Sequence, residues 1–251
     1  GRRINRPSFW NLNPFKSLYT AHSYGEGNPY LQPEYNYNLE VSHAYKNIFR
    51  TSVFANKTEN GFIYITMASV DTNLVYTRPL NFIETFRFGI SESVVFKPVS
   101  WWESNALLSI YHTNAKSAIP EVDDISGIGA YSSIQNAIYL NSSKTFAAAI
   151  NFWYQFPEVD HIAKADRYFK LDLGLKLTTN NRKWDLVFNA NDVFMSSALA
   201  YSYTVNQIPQ KFTNFQFNRF LQLNVNFRFG SSTTGDRGPS SGNEEEQARI
   251  H

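Results

Sequence analysis

The sequence predicts an all-β protein, an antiparallel transmembrane β-barrel segment of about nine or ten meandering strands. First, apolar and polar side chains alternate with a period of two over many stretches of the chain. Second, alternately short and long connections join these stretches, which is typical of a barrel with short periplasmic turns and long extracellular loops. Third, the polar side of the stretches carries charges that a dry protein core would not tolerate.

The clearest pair of strands lies between Phe169 and Asn191. From Phe169 to Leu177 every second residue is Phe or Leu, and the residues between them are mostly charged or polar. The segment TNNRK predicts a turn, and WDLVFNAN then resumes the alternation. The two stretches therefore predict a β-hairpin with one apolar and one polar face.

The same alternation predicts the other strands. In chain order they are YNYNLEVSHAY, IFRTSVFA, FRFGISESVVF, NALLSIYHT, GAYSSIQNAIYLN, FAAAINFWYQF and FLQLNVNFRFG. The opening residues, GRRINRP, are typical of the end of a strand, so we expect the chain to be truncated at its N-terminus. Each strand is long enough to cross a bilayer when tilted.

The connections alternate in length along the chain. Short turns are predicted near residues 45–48, 98–102, 141–144 and 179–183, and long links near 7–34, 60–81, 115–127, 157–166 and 196–218. Residues 1–230 are thus predicted to form the barrel. The Gly-, Ser- and Glu-rich segment 231–251 is predicted to be a disordered periplasmic tail.

Composition excludes several function classes. A net charge of +2 gives no indication of a nucleic-acid partner, and the lack of cysteine excludes disulfides and thiolate metal sites. No apolar run is long enough for a transmembrane helix. The five histidines show no metal-ligand spacing, so we expect no metal and no cofactor. His161 with Asp160 and Asp166 is the nearest match to a catalytic group, but no nucleophile supports it, and we expect no enzymatic activity.

Charged residues recur on the polar side of the predicted strands. We expect them to face a wet lumen or a plug; they are Glu40, Arg50, Arg87, Lys170, Asp172, Lys176 and Arg228. Beside the short turns lie Trp101, Trp102 and Trp184, as in an interfacial girdle. The alternative is a soluble β-sheet protein whose apolar side faces inward.

Tyrosines in the long links are candidates for ligand binding, because a tyrosine ring can stack on a ligand while its hydroxyl donates a hydrogen bond. The candidate residues are Tyr64, Tyr76, Tyr201 and Tyr203. Aromatic residues in such links also rest on lipid headgroups, so both interpretations stay open.

Four phrases carry a resemblance: RRINRPSFWNLNPF, GNPYLQPEYNYNLEVSHAY, NANDVF and the terminal FLQLNVNFRFG with its acidic tail. The chain resembles the C-terminal barrel of TonB-dependent outer-membrane receptors, and more narrowly the Bacteroidetes-type outer-membrane β-barrel family. The resemblance implies a barrel of about 22 strands around a plug. This chain would supply the last ten or so strands. GNPYLQPE is the most specific phrase, and we expect it to set the strand register.

The resemblance also implies a function and a set of partners. The function would be uptake of a scarce nutrient, namely a siderophore, cobalamin, a glycan or a peptide. The partners would be outer-membrane lipid, a plug domain, an energy-coupling protein and the outer-membrane assembly machinery. That machinery would recognise the last strand through Phe227 and Phe229. The alternative in a membrane is a small self-contained barrel that acts as a porin, an adhesin or a surface enzyme.

Overall fold

The computed structural model describes residues 1–46, 48–68, 74–179, 181–215 and 218–229. In chain order the elements are β1 (Arg2–Asn5), α1 (Phe9–Leu12), β2 (Ser17–Thr20), β3 (Ser23–Gly25), β4 (Glu34–Tyr45), β5 (Phe49–Ala68), β6 (Val75–Val99), β7 (Trp102–Ser117), β8 (Ile125–Tyr139), β9 (Phe146–Gln155), β10 (Glu158–Asp160), β11 (Ala163–Ala165), β12 (Tyr168–Thr178), β13 (Trp184–Asn191), β14 (Leu199–Val205), β15 (Ile208–Asn214) and β16 (Phe220–Phe227). Of the described residues, none belongs to a helix long and apolar enough to span a membrane.

The main sheet is an antiparallel meander. Its strands follow the order β1-β4-β5-β6-β7-β8-β9-β12-β13-β16, so consecutive long strands are neighbours. Nine of them are long, and the four-residue β1 precedes them. The all-β antiparallel fold predicted from alternation, with about nine strands and an initial stub, is confirmed.

Two smaller groups of strands lie between the long ones. β2 and β3 form a short hairpin whose second strand pairs in parallel with the start of β6. β10, β11, β14 and β15 form a separate four-stranded sheet. Both groups belong to the links that the sequence predicts to be long, and these links are therefore structured.

Register divides the main sheet into two faces. Val41, Val53, Ile90 and Ile110 lie opposite one another on four successive strands, and they are 69%, 57%, 49% and 45% exposed. The next row on the other face consists of serines, Ser42, Ser52, Ser91 and Ser109. Because side chains in directly opposite positions share a face, the alternation seen within each strand becomes two continuous surfaces. We call them the apolar face and the polar face.

Short and long connections lie at opposite ends of the main sheet. The turns after β4, β6, β8 and β12 lie at one end, and the links that contain the small sheet lie at the other. One predicted boundary is wrong. The predicted long link near 60–81 is mostly strand, because β5 continues to Ala68 and β6 begins at Val75. A bulge at Thr58–Phe62, with Asn60 at a φ of 55°, breaks the alternation that would have identified these strands.

The hydrophobic core lies at the long-link end and not inside the main sheet. Ile65 and Ile83 of the extended β5–β6 hairpin are 0% and 1% exposed, and they belong to one cluster with Val159 and Val205. Val159 belongs to β10 and Val205 to β14, so the small sheet packs on the hairpin. This burial stabilises the links as a folded cap over one end of the sheet.

The phrase GNPYLQPE anchors the first link. A Cβ on Gly27 would come within 2.5 Å of the Asn13 carbonyl oxygen, so only glycine allows this approach to the end of α1. The Asn28 side chain donates to the Pro79 carbonyl at 3.2 Å, which ties the link to β6. Glu34 then accepts a hydrogen bond from Asn5 at 2.8 Å, across the β1–β4 pair.

The phrase NANDVF forms a turn at the end of β13. Asp192 is 2% exposed and has a φ of 45°. Its carboxylate accepts hydrogen bonds from the Ser196 amide at 3.0 Å and the Ser197 hydroxyl at 2.5 Å. The buried carboxylate therefore holds the chain in the direction that leads into β14.

Candidate ligand-binding site and polar face

A pocket of about 220 Å³ opens at the long-link end. Its lining comes from the end of β5, from the link between β9 and β12 with the first residue of β12, and from β14. Three of the four tyrosines predicted to bind a ligand line it, namely Tyr64, Tyr201 and Tyr203. The fourth, Tyr76, lies elsewhere and stacks on Tyr24 with ring centroids 5.9 Å apart. All four lie on strands and not in irregular loops.

One wall of the pocket is a fixed aromatic stack. Tyr201 lies directly opposite Phe212 in the β14–β15 pair, and Tyr203 follows two residues later on the same face. The Phe212 ring is 5.4 Å from Tyr201 and 5.5 Å from Tyr203, and all three ring planes lie within 16° of one another. Because the rings hold each other in place, a ligand would meet a preformed surface.

The polar side of the pocket consists of residues that sequence reasoning did not assign to ligand binding: Glu158, Asp160 and His161, with Tyr168 beside them. The His161 Nδ1 atom lies 3.0 Å from the Asp160 Oδ1 atom. This hydrogen bond raises the pKa of His161 above its ordinary value and lowers the pKa of Asp160. Asp166, the third member of the predicted group, lies 3.9 Å from the Lys211 ammonium instead.

Arg87 holds the link between β9 and β12 against the polar face. Its guanidinium donates to the Thr113 hydroxyl at 2.9 Å, to the Glu158 carboxylate at 3.3 Å and to the Val159 carbonyl at 3.1 Å. Tyr111 donates to the same carboxylate at 2.7 Å, and its ring lies 4.6 Å below the guanidinium carbon. β10 therefore folds inward over the polar face, and its residues Glu158 and Asp160 line the pocket.

Register places Glu40, Arg50, Lys170, Asp172 and Lys176, which we also expected to face a lumen, on this same polar face. Arg228 joins them through its ion pair with Asp185. Three ion pairs join them to one another or to Asp185: Glu40 with Arg50 at 3.7 Å, Lys170 with Asp172 at 3.0 Å, and Arg228 with Asp185. Lys176 lies on the same face between Ala147 and Val187. The charges that seemed costly in the sequence are thus largely neutralised within the sheet.

The apolar face has the height of a lipid bilayer. On β6 the outward residues from Phe86 to Phe96 are apolar except Glu92, which accepts a hydrogen bond from Thr51. The ten steps from one residue to the next between Phe86 and Phe96 each rise ~3.4 Å along the strand. With the strand tilted by about 40° from the membrane normal, they span a height of ~26 Å, close to the ~25 Å apolar band of outer-membrane barrels. Above Phe86 the face becomes charged, with Glu84 opposite Lys116.

The three predicted interfacial tryptophans lie at the short-turn end. Trp101 lies in the β6–β7 turn and Trp102 begins β7, with their ring centroids 6.5 Å apart. Trp184 begins β13 and its ring lies 4.5 Å from that of Phe227. Trp101 and Trp184 are 51% and 42% exposed, so the rings lie where the apolar face ends.

Comparison with known protein families agrees with this geometry. The outer membrane protein beta-barrel family matches residues 1–229. The chain belongs to this family. No curated protein matches the chain.

Membership of the outer membrane protein beta-barrel family identifies the protein as an outer-membrane barrel protein. It overturns the alternative of a soluble β-sheet protein, and it agrees with an apolar face that is exposed and does not pack into a core. The short turns are then periplasmic, and the links that carry the pocket are extracellular. The predicted tail 231–251 lies outside the described residues.

Proposed function

We propose that this family member is the barrel of an outer-membrane receptor for TonB-dependent uptake of a scarce nutrient. The four phrases that resemble such receptors, of the Bacteroidetes type, support the proposal. So does the position of the pocket, because a receptor must capture its nutrient on the extracellular side before passage. The protein would bind and pass its cargo without making or breaking a covalent bond.

The observation that carries the proposal is the pocket itself. It is bounded by three separate extracellular segments, and a fixed aromatic stack forms one wall. A general diffusion pore has no need of such a preformed site, whereas a receptor for a dilute nutrient does. The inward fold of β10, fastened by Arg87, supports selective passage because it lies across the polar face.

The proposed partners follow from this function. Outer-membrane lipid would contact the apolar face, and the outer-membrane assembly machinery would insert the barrel. A plug domain would contact the polar face, and an energy-coupling protein would act from the periplasm. The nutrient would be a siderophore, cobalamin, a glycan or a peptide.

Energised uptake tests the proposal. The gene is deleted in its bacterium, and uptake of labelled siderophore, cobalamin, glycan and peptide is measured before and after the proton-motive force is collapsed. We expect uptake of one nutrient class to be lost when the gene is deleted and also when the proton-motive force is collapsed. The full-length gene is expected to restore that uptake in the deletion strain. As a control, the same strains are supplied with a small sugar that diffuses through general pores.

A second measurement addresses the porin alternative. Purified full chain is inserted in a planar lipid bilayer and its conductance is recorded without any energy source. Steady conductance, together with uptake that survives collapse of the proton-motive force, would refute the receptor proposal. It would support a small diffusion barrel instead.

A further inference from the structure

The charge of the extracellular pocket limits the ligands that it can hold. Among the described residues, the titratable ones that line it, other than tyrosines, are Glu158, Asp160 and His161, and neither lysine nor arginine is among them. Glu158 is held by Arg87 and Tyr111. Asp160 is 60% exposed and so presents its carboxylate to a ligand. An anionic ligand would be repelled by the two carboxylates and would find only His161 as an ionisable base, so the pocket disfavours anions.

The pocket is also rich in tyrosine. Tyr64, Tyr168, Tyr201 and Tyr203 surround a space of about 220 Å³, which is smaller than the typical site for a drug-sized ligand. The space accommodates one compact group and not a whole siderophore. The face of a tyrosine ring carries negative electrostatic potential, so several rings together favour a cation.

The protein itself demonstrates this preference. Lysine or arginine side chains lie over six other tyrosines at 4.3–5.6 Å from the ring centroid, as in Lys16 over Tyr24 and Lys144 over Tyr139. Within the described residues, none of the four pocket tyrosines has such a cation. The pocket therefore combines tyrosine rings that carry no lysine or arginine with an exposed carboxylate, and no described residue fills it with a cation.

We propose that this pocket binds an ammonium group on an apolar stem, with the tyrosine rings around the cation and Asp160 as its counter-ion. The inference rests on the uptake function proposed above and gives the chemical class of the captured part of the nutrient. The amino group of a peptide or of a polyamine belongs to this class. Leu199 and Ile162 in the pocket wall would contact the stem.

The position of His161 makes the binding dependent on pH. The charged and titratable groups around it are Asp160, Glu158, Arg87 and Glu34, with Tyr168 beside the pair. Histidine is the side chain whose ordinary pKa lies near neutrality, and the hydrogen bond to Asp160 raises the pKa of His161 above it, so His161 loses its charge as the pH rises through that pKa. Protonated His161 competes with the ligand for Asp160. Affinity for an ammonium ligand is therefore expected to rise with pH.

Three small probes of different charge test the proposal on the purified full chain. Calorimetry measures binding of tetramethylammonium, the neutral methyl glucoside and the anion pivalate. We expect saturable binding of tetramethylammonium alone, with an affinity that rises as the pH rises through the His161 transition. Preferential binding of the glucoside or pivalate, or no binding of tetramethylammonium by folded chain, would overturn the proposal.

Variants connect the binding to the pocket. Asp160→Asn and Tyr201→Leu are each expected to weaken tetramethylammonium binding about tenfold, which corresponds to loss of one charge partner or one ring. Asp166→Asn is the matched control, since this carboxylate lies in the same link but outside the pocket. His161→Gln is expected to bind tetramethylammonium without the pH dependence. Equal weakening in Asp166→Asn would contradict the assignment.

The ligand class and the uptake function fail in different ways. If energised uptake persists in cells while the purified chain binds only the glucoside, the ammonium class is wrong and the receptor function stands. If tetramethylammonium binds but uptake does not depend on the proton-motive force, the pocket assignment stands and the receptor function is wrong. Heat-modifiable gel mobility verifies that each variant is folded.

Discussion

Removing Arg87 is expected to release the extracellular link between β9 and β12. In Arg87→Met the Glu158 carboxylate, whose side chain is 13% exposed, loses its cation, and the Val159 carbonyl loses a donor. Breaking a buried pair from one side costs about 3–5 kcal/mol. Tyr111 still donates to Glu158 and some solvent reaches it, so we expect the lower end, about 3 kcal/mol.

Because the link lies outside the membrane, this cost is expected to appear as local opening and not as unfolding of the barrel. Hydrogen exchange followed by mass spectrometry measures it. A change of about 3 kcal/mol corresponds to roughly a hundredfold loss of protection in residues 156–167. The amides of β8 are expected to keep their protection.

Two further variants make the measurement decisive. Arg50→Met removes an ion pair whose members are 60% and 55% exposed, so it is expected to cost less than about 1 kcal/mol and to leave the link protected. The double variant Arg87→Met with Glu158→Met replaces the pair by apolar groups and is expected to restore much of the protection. Unchanged exchange in Arg87→Met would refute the role of Arg87 as the fastening residue.

Three other predictions concern the apolar face, the first link and the pocket. Ile90→Lys is expected to destabilise the barrel in lipid by about 2–4 kcal/mol in urea titrations, while Ser91→Lys on the polar face has little effect; equal effects would contradict the assignment of faces. Gly27→Ala is expected to cost about 1–3 kcal/mol and to speed proteolysis within residues 6–33, and a wild-type cleavage pattern would contradict it. The pKa of His161 is raised, so the stabilisation that His161 gains from its pair with Asp160 is lost as the pH rises through that pKa. The pKa of Asp160 is lowered, so the stabilisation that Asp160 gains from the pair is lost in acid, as the pH falls through that lower pKa. Hydrogen exchange in the link between β9 and β12, corrected for the intrinsic exchange rate at each pH, is therefore expected to be slowest on the acid side of neutrality. A corrected rate that does not depend on pH would argue against the pair of His161 and Asp160.

Alternation in the sequence was sufficient to assign the two faces of the main sheet. Leu173 and Lys170 lie on opposite faces because successive side chains of a strand point in opposite directions whatever the neighbouring strands are. The same local rule identified the strands and the short turns. It also placed all seven lumen candidates on one face: six lie at matching positions in register, and Arg228 forms an ion pair with Asp185 of that face.

Local rules failed where the alternation was interrupted. Two register shifts near Asn60, one between Thr58 and Gly61 and one between Gly61 and Phe62, interrupt the pairing of β5 with β6, so the strict alternation that identifies a strand does not run through this segment. Residues such as Ile63 and Ile65 therefore contribute to the core from a segment that resembled a loop. Tyr64, predicted as a loop residue, lies on a strand for the same reason.

The sequence by itself determined a membrane-height sheet with one apolar and one polar face, because that information is local to each strand. Only the tertiary structure decided which extracellular residues meet. Tyr64, Asp160 and Tyr201 come from parts of the chain about 40 to 140 residues apart, and they share a pocket because Arg87 and the core draw the links together. Contacts at such separations depend on how the links fold over the sheet, which no pattern within a single strand encodes.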